Sequence, residues 1–94
     1  MPAVTRQGDS NTGHGAHPPV ALVSGSPNVF VNSIPCGRNS DPYPPHTDGI
    51  DTHAGNISGG SSTVFVNSKP IARVGDSVSC GGSVAAGSPN VNAN

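Results

Sequence analysis

Three segments of the chain each carry one side chain that could bind a metal ion, at nearly the same distance after an aspartate. The pairs are Asp9 and His14, Asp41 and His46, and Asp76 and Cys80, with spacings of five, five and four residues. His53 offers a fourth ligand in the middle segment. Because Zn²⁺ takes imidazole and thiolate ligands, four of them in structural sites, the pattern predicts one structural Zn²⁺ held by His14, His46, His53 and Cys80.

The chain repeats itself, and the repeat explains how these ligands could meet. Residues 25–35 (GSPNVFVNSIP) return as residues 60–70 (GSSTVFVNSKP), 35 positions later, and a truncated copy closes the chain at 87–92. A repeat this dense indicates an internally symmetric object. If three units pack around a pseudo-threefold axis, the intervening loops 9–20, 41–59 and 76–82 converge. The spacing matches no standard zinc finger, so solvated loop histidines remain the alternative on spacing alone.

Short strands and tight turns dominate the predicted structure. Gly and Pro interrupt almost every stretch, with 13 and 10 copies in 94 residues, and no helical period is visible. The alternation of Val and Phe predicts strands, with two-residue turns at Asn32-Ser33 and Asn67-Ser68. Strands are predicted at 20–24, 27–34, 62–69, 71–74, 83–86 and 89–92. The sequence therefore predicts one all-β domain over residues 1–94, whose small core the metal would stabilise.

Charge and hydropathy exclude several classes of function. Net charge is −1 and only 10% of residues are charged, so no basic surface for nucleic acid is expected. No apolar run is long enough to span a bilayer. The N-terminus lacks the apolar segment of a signal peptide, so we expect synthesis in the cytoplasm and export by another route.

The remaining chemistry-bearing residues have simpler interpretations. His17 lies outside the aligned ligand position, and we expect it not to bind the ion. Cys36 aligns with Ile71 and is expected to be a small buried hydrophobe, the alternative being a disulfide with Cys80. Asp48 and Asp51 are expected to form turns rather than an acid pair. An arginine precedes each loop aspartate by three residues, as Arg6, Arg38 and Arg73, which indicates structural ion pairs.

Taken together, these motifs make the chain resemble the PAAR-repeat proteins. The Pro-Ala-Ala-Arg sequence of that family stands here as Pro70-Ile71-Ala72-Arg73, and more loosely as Pro35-Cys36-Gly37-Arg38. The resemblance implies a short β cone that caps the trimeric β-helical spike of a type VI secretion system, a VgrG-like protein, or the comparable spike of a contractile phage tail. It also implies a zinc near the point of the cone, and by position its ligands are His14, His46, His53 and Cys80.

The resemblance implies a structural protein rather than an enzyme, one that sharpens the spike, crosses a membrane only transiently and can link effector proteins. It would act on the secretion apparatus and be delivered outside the cell or into a target cell. The chain has no room for an extension domain, so a bare tip is expected. A small zinc-dependent hydrolase is the alternative. Ser40 replaces the expected Gly before Asp41, which predicts distortion of the second unit.

Overall fold

The computed structural model describes residues 1–47 and 49–94. They form three β-hairpins, each with two strands of two residues, which are joined by turns and isolated β-bridges. Strand β1 (Phe30–Val31) pairs with β2 (Ile34–Pro35), β3 (His46–Thr47) with β4 (Thr52–His53), and β5 (Phe65–Val66) with β6 (Lys69–Pro70), all antiparallel. The described residues contain no helix able to cross a bilayer. The prediction of an all-β fold is confirmed.

The turns of two hairpins adopt the left-handed conformation that the sequence predicted. Asn32 and Ser33 have φ of 55° and 65°, and Asn67 and Ser68 have 53° and 65°. Two consecutive residues with positive φ define a type I′ turn, whose twist matches that of the flanking strands. In both hairpins the phenylalanine of the repeat is exposed and the following valine is buried. The alternation therefore directs one valine of each copy into the core.

The repeat has two hairpin units, β1–β2 and β5–β6, and the two ends of the chain together form its third unit. Ala3 bridges Asn92, and the Ala93 amide donates to the Pro2 carbonyl at 3.0 Å. One hydrogen bond of 2.9–3.1 Å recurs in all three units, from Cys36 to Val29, from Ile71 to Val64, and from Val4 to Val91. The truncated third copy is thus completed by the N-terminal segment.

The three units are joined by a closed ring of backbone hydrogen bonds. The Thr5 amide donates to the Ala72 carbonyl at 3.1 Å, Ala72 donates to Gly37 at 3.0 Å, and Gly37 donates to Thr5 at 2.9 Å. These residues immediately precede the three equivalent arginines, so each unit contributes one donor and one acceptor at the same position. The pseudo-threefold repeat predicted from the sequence is confirmed.

The predicted strands are longer than the observed ones, and the prediction of a strand was wrong for four of the six segments. Residues 20–24, 71–74, 83–86 and 89–92 make isolated bridges, and the predicted strands 27–34 and 62–69 contract to strands of two residues on either side of a turn. In a threefold interleaved chain each segment changes partner after one or two residues, so no long ladder develops. Conversely, the middle loop contains the β3–β4 hairpin, which was not predicted.

The described residues pack into two small cores. The hairpin-side core is built from the hairpin valines and their neighbours: Val4, Val31, Cys36, Val66, Ile71 and Ala93. The loop-side core is built from residues that precede, follow or line the loops: Leu22, Tyr43, Ile57, Ala72, Val78 and Val84, with Cys80 packed against it. Cys36 is fully buried and both cysteines are free, so the alternative of a disulfide is wrong and Cys36 is the small buried hydrophobe expected.

Each loop starts at a turn that is held by an arginine and an aspartate. In the second unit the Arg38 amide and Nε both donate to Asp41 Oδ2, at 2.8 and 3.0 Å, and Nη2 donates to Oδ1 at 2.8 Å. The same three bonds join Arg6 to Asp9 and Arg73 to Asp76. The bonds to the carboxylate raise the pKa of all three guanidinium groups. The pairs are structural, as expected, and they act within each unit.

The second unit is not distorted at Ser40, contrary to the prediction. Ser40 has φ of 80°, close to the 90° and 96° of the equivalent Gly8 and Gly75. The following amide, that of Asp41, donates to Arg38 at 3.0 Å, as its equivalents do. The fold therefore imposes the glycine conformation on a serine, at a cost of about 1–2 kcal/mol in the left-handed region.

Replacing Ser40 by glycine should stabilise the protein. Relief of the left-handed strain is partly offset by the greater freedom of glycine in the unfolded chain, about 0.5–1 kcal/mol, which leaves a gain of roughly 0.5–1 kcal/mol. Urea unfolding of the Ser40→Gly protein measures this gain. The reciprocal change, Gly75→Ser, serves as control and should destabilise by a similar amount; a less stable Ser40→Gly protein would contradict the strain at this position.

Candidate metal centre

Three loops bring the four predicted ligands to one place. His14 begins a tight turn in which its amide and carbonyl pair with those of His17, at 3.1 and 2.8 Å. His46 and His53 are direct partners across the β3–β4 hairpin. Cys80 lies in a turn closed by the bond from the Gly81 amide to the Val78 carbonyl, at 2.9 Å. A hairpin and two turns therefore carry the group.

The potential ligand atoms converge tightly. Nε2 of His53 is 2.7 Å from Nε2 of His14 and 2.8 Å from Nε2 of His46, and the Cys80 Sγ is 3.8 Å from the same His46 atom. All four atoms lie within 4.8 Å of one another. His46 is buried, whereas His14, His53 and Cys80 are partly exposed. The group could hold one metal ion.

The hydrogen bonds behind two histidines fix which ring nitrogen is free. His46 Nδ1 is 2.9 Å from the Pro18 carbonyl oxygen, and His53 Nδ1 is 3.2 Å from Asp51 Oδ2. Both partners are acceptors, so both Nδ1 atoms carry the proton and donate. In the neutral ring the lone pair is then on Nε2, the atom that faces the other ligands.

A metal ion fits this donor set on chemical grounds. With both Nδ1 atoms protonated, the 2.8 Å contact between His46 Nε2 and His53 Nε2 brings two lone pairs together, which is unfavourable unless a cation lies between them. Tetrahedral Zn²⁺ with bonds of about 2.0–2.3 Å places its ligand atoms roughly 3.3–3.8 Å apart. The 3.8 Å between Cys80 Sγ and His46 Nε2 matches this range, whereas the Nε2–Nε2 distances of 2.7 and 2.8 Å are shorter, so the rings would have to move slightly apart around an ion. Three imidazoles and a thiolate are also ligands of the type that borderline-soft metals prefer.

The environment keeps His14 in the neutral form that binds metals. Burial is the largest cause that lowers the pKa of His14, followed by the neighbouring rings of His17, His53 and His46. A lowered pKa favours the unprotonated imidazole near neutral pH. Since a protonated ring cannot be a ligand, this shift favours metal binding, and acid should release the ion.

Glycines allow the loops to approach one another closely. A Cβ atom added to Gly55 would lie 2.8 Å from Cys80 Sγ, and one added to Gly13 would lie 2.4 Å from the His17 carbonyl oxygen. Both distances are far below ordinary contacts, so a side chain at Gly55 would displace the thiol. These positions therefore need glycine for the ligands to converge.

Two residues that sequence reasoning gave no role at the site lie directly beside it. The ring centroid of His17 is 4.7 Å from that of His14 and 4.1 Å from that of His53, and its Nε2 is 3.6 Å from Asp51 Oδ2. Asp51, predicted to form a turn, contacts His53. Asp48, discounted with it as an acid pair, lies outside the described residues. The signal for Asp51 was its place two residues before His53.

Comparison with known proteins identifies the family. A family model described as the PAAR motif matches residues 7–86, most of the 94-residue chain. No curated protein matches the chain. The matched region spans the three equivalent arginine–aspartate turns except for Arg6, and it includes all four residues of the metal-binding group. The resemblance inferred from the sequence is confirmed.

Proposed function

The chain belongs to the PAAR motif family, and from this premise we propose that it caps the end of a trimeric β-helical spike as its tip. The family match supports a structural role of the spike-tip type in a type VI secretion system or a contractile phage tail. The proposal goes further in assigning this chain to a type VI spike, with the phage tail as the second candidate.

The ring of hydrogen bonds through Thr5, Gly37 and Ala72 is the observation that carries the proposal. It relates three similar units by a pseudo-threefold axis within a single chain. A trimeric spike ends in true threefold symmetry, so one such chain can meet it through three similar contacts. Capping would also cover the strand edges at the end of the β-helix, which are otherwise open to unwanted pairing.

We assign the docking face to the hairpins that carry the repeat. Phe30 and Phe65 occupy equivalent positions and are 55% and 56% exposed. Val29, beside Phe30, is 37% exposed. The equivalent position in the third unit is Asn92, so the apolar contribution is unequal around the axis. Exposed aromatic side chains on a small, weakly charged surface are typical of a protein-binding face.

For the metal we propose a single structural Zn²⁺ held by His14, His46, His53 and Cys80. Four protein ligands complete a tetrahedral ion and leave no position for a substrate or an activated water, which favours a structural role over the alternative of a zinc-dependent hydrolase. The ion would join the three loops where they meet and so make that end of the molecule rigid. The zinc-stabilised tip would lead the spike through a membrane, after the chain has been made in the cytoplasm and delivered on the spike. We also propose that the tip links effector proteins to the spike.

The test of capping is binding to a purified trimeric VgrG-like spike protein from the same genome. We expect one chain per trimer by mass measurement of the complex. The double change Phe30→Ser with Phe65→Ser should weaken binding at least about 100-fold, since each buried aromatic contributes about 1.4 kcal/mol or more. Ile50→Ser is the matched control, because Ile50 is 97% exposed and lies between β3 and β4, outside the two hairpins that carry Phe30 and Phe65. No complex with the wild-type chain, or equal loss in the control, would contradict the assignment.

A further inference from the structure

Asp51 lies on the far side of His53 from the other ligands. Its Oδ2 is 3.2 Å from His53 Nδ1, while His53 Nε2 lies 2.7 Å from His14 Nε2. The ring is therefore contacted at one nitrogen by a carboxylate and at the other by the metal-binding group. The arrangement is that of a carboxylate–histidine–metal triad, in which the carboxylate fixes the tautomer and the ring orientation of the histidine that binds the metal.

The two hairpin histidines differ in the acceptor behind them. His46 Nδ1 faces a neutral carbonyl, that of Pro18, at 2.9 Å, whereas His53 Nδ1 faces a carboxylate. A negatively charged acceptor makes a stronger hydrogen bond and increases the electron density that the opposite nitrogen can give to a cation. His53 is also the ligand whose Nε2 is close to both other Nε2 atoms, so its orientation affects the whole group most.

His17 holds the same carboxylate from a second direction. His17 Nε2 is 3.6 Å from Asp51 Oδ2, and its ring packs 4.1 Å from that of His53 between centroids. The side chain of His17 is largely buried, whereas that of Asp51 is 67% exposed. An exposed carboxylate has many rotamers, and a contact with a fixed ring restricts them. This gives His17 a place in the structure without making it a ligand.

We propose that Asp51 is the positioning residue that orients His53 for metal binding. The inference rests on the proposed metal site and adds to it a residue outside the four ligands. Asp51 accepts the Nδ1 proton of His53 and so keeps the Nε2 lone pair directed at the ion. It does not bind the ion itself.

The test compares zinc affinities of single variants by competition with a chelator of known affinity. Asp51→Ala should bind zinc about 10- to 100-fold more weakly, the usual effect of removing such an acceptor. Asp51→Asn keeps an acceptor oxygen of similar shape and should lose less. Ile50→Ser changes the neighbouring, 97% exposed side chain and should bind as the wild type does.

A second readout separates positioning from general loss of structure. In the zinc-loaded wild-type protein, nitrogen-15 NMR should show a proton on His53 Nδ1 that exchanges slowly with water. In the Asp51→Ala protein with zinc bound, that proton should exchange faster, while the signals of His46 stay unchanged. Equal zinc affinity of the Asp51→Ala and Ile50→Ser proteins would overturn the proposal.

Metal stoichiometry distinguishes this proposal from failure of the site itself. Asp51, His17 and His53 also form a group that could hold an ion of their own. Two zinc ions per wild-type chain, falling to one in Asp51→Asn, would overturn the proposal because Asp51 would then be a ligand. A folded wild-type chain that binds no zinc would instead remove the structural metal of the proposed function, and this positioning role would fall with it.

Discussion

Cys80→Ser protein should lose its metal and, with it, most of its folded population. Elemental analysis of the wild-type chain should find about one zinc, because one group of three histidines and a thiol converges in the structure. In zinc-finger peptides the binding of a structural zinc contributes about 10–16 kcal/mol to folding, as much as the whole stability of a typical small domain, about 5–15 kcal/mol. With cores as small as these two, we expect the variant to unfold near room temperature.

Cys36→Ala is the control that separates loss of the ligand from loss of a cysteine. Cys36 is fully buried in the hairpin-side core, whereas Cys80 packs against the loop-side core. Its replacement removes one sulfur from the core and should cost about 1–2 kcal/mol while the zinc stays bound. A Cys80→Ser protein that is folded, metal-free and as stable as the wild type would show that the metal is not structural.

The convergence of the aligned candidate ligands could be predicted because the repeat carries them. His14, His46 and Cys80 follow equivalent aspartates, and the threefold ring of backbone bonds fixes those aspartates at equivalent positions. Sequence spacing therefore translated directly into convergence in space. His53 needed a further element, the β3–β4 hairpin, which pairs it with His46. The strands of that hairpin are only two residues long, too short to show an alternating pattern, and it was missed.

The features that sequence reasoning missed depend on partners distant in the chain. The strands 71–74 and 83–86 were expected from their composition, but each makes only single bridges because its neighbours belong to other units. Ser40 was expected to distort its turn, yet the bonds of that unit hold it at a φ of 80°. Asp51 is the exception, because it stands two residues before His53 and contacts it, and this local signal was interpreted only as a turn. Composition alone does not contain these contacts.

Gly25→Ala should be among the most destabilising single changes in the chain. A Cβ atom at this position would lie 2.5 Å from the Cys36 carbonyl oxygen and 3.0 Å from that of Pro35. Both neighbours are backbone atoms, and the Cys36 oxygen accepts a hydrogen bond from the Ser26 amide at 2.9 Å. A shift of this backbone to make room for the Cβ atom would therefore break that hydrogen bond. We expect a loss of about 3 kcal/mol or more, at the upper end of the roughly 1–3 kcal/mol that overpacking typically costs, because backbone atoms cannot yield.

Urea unfolding of the zinc-loaded protein measures this loss, and the repeat supplies both a replicate and a control. Gly87 is the third-unit equivalent, where the added Cβ would lie 2.7 Å from the Val4 carbonyl oxygen, so Gly87→Ala should be similarly severe. Gly8→Ala meets no atom within 4 Å and carries only the cost of its φ of 90°, about 1–2 kcal/mol. Because the contacts at Gly25 and Gly87 are equivalent under the pseudo-threefold axis, equal losses at those two sites would show that the symmetry extends to the energetics. Losses at both sites no larger than at Gly8 would mean that the units are not packed as closely as the backbone distances require.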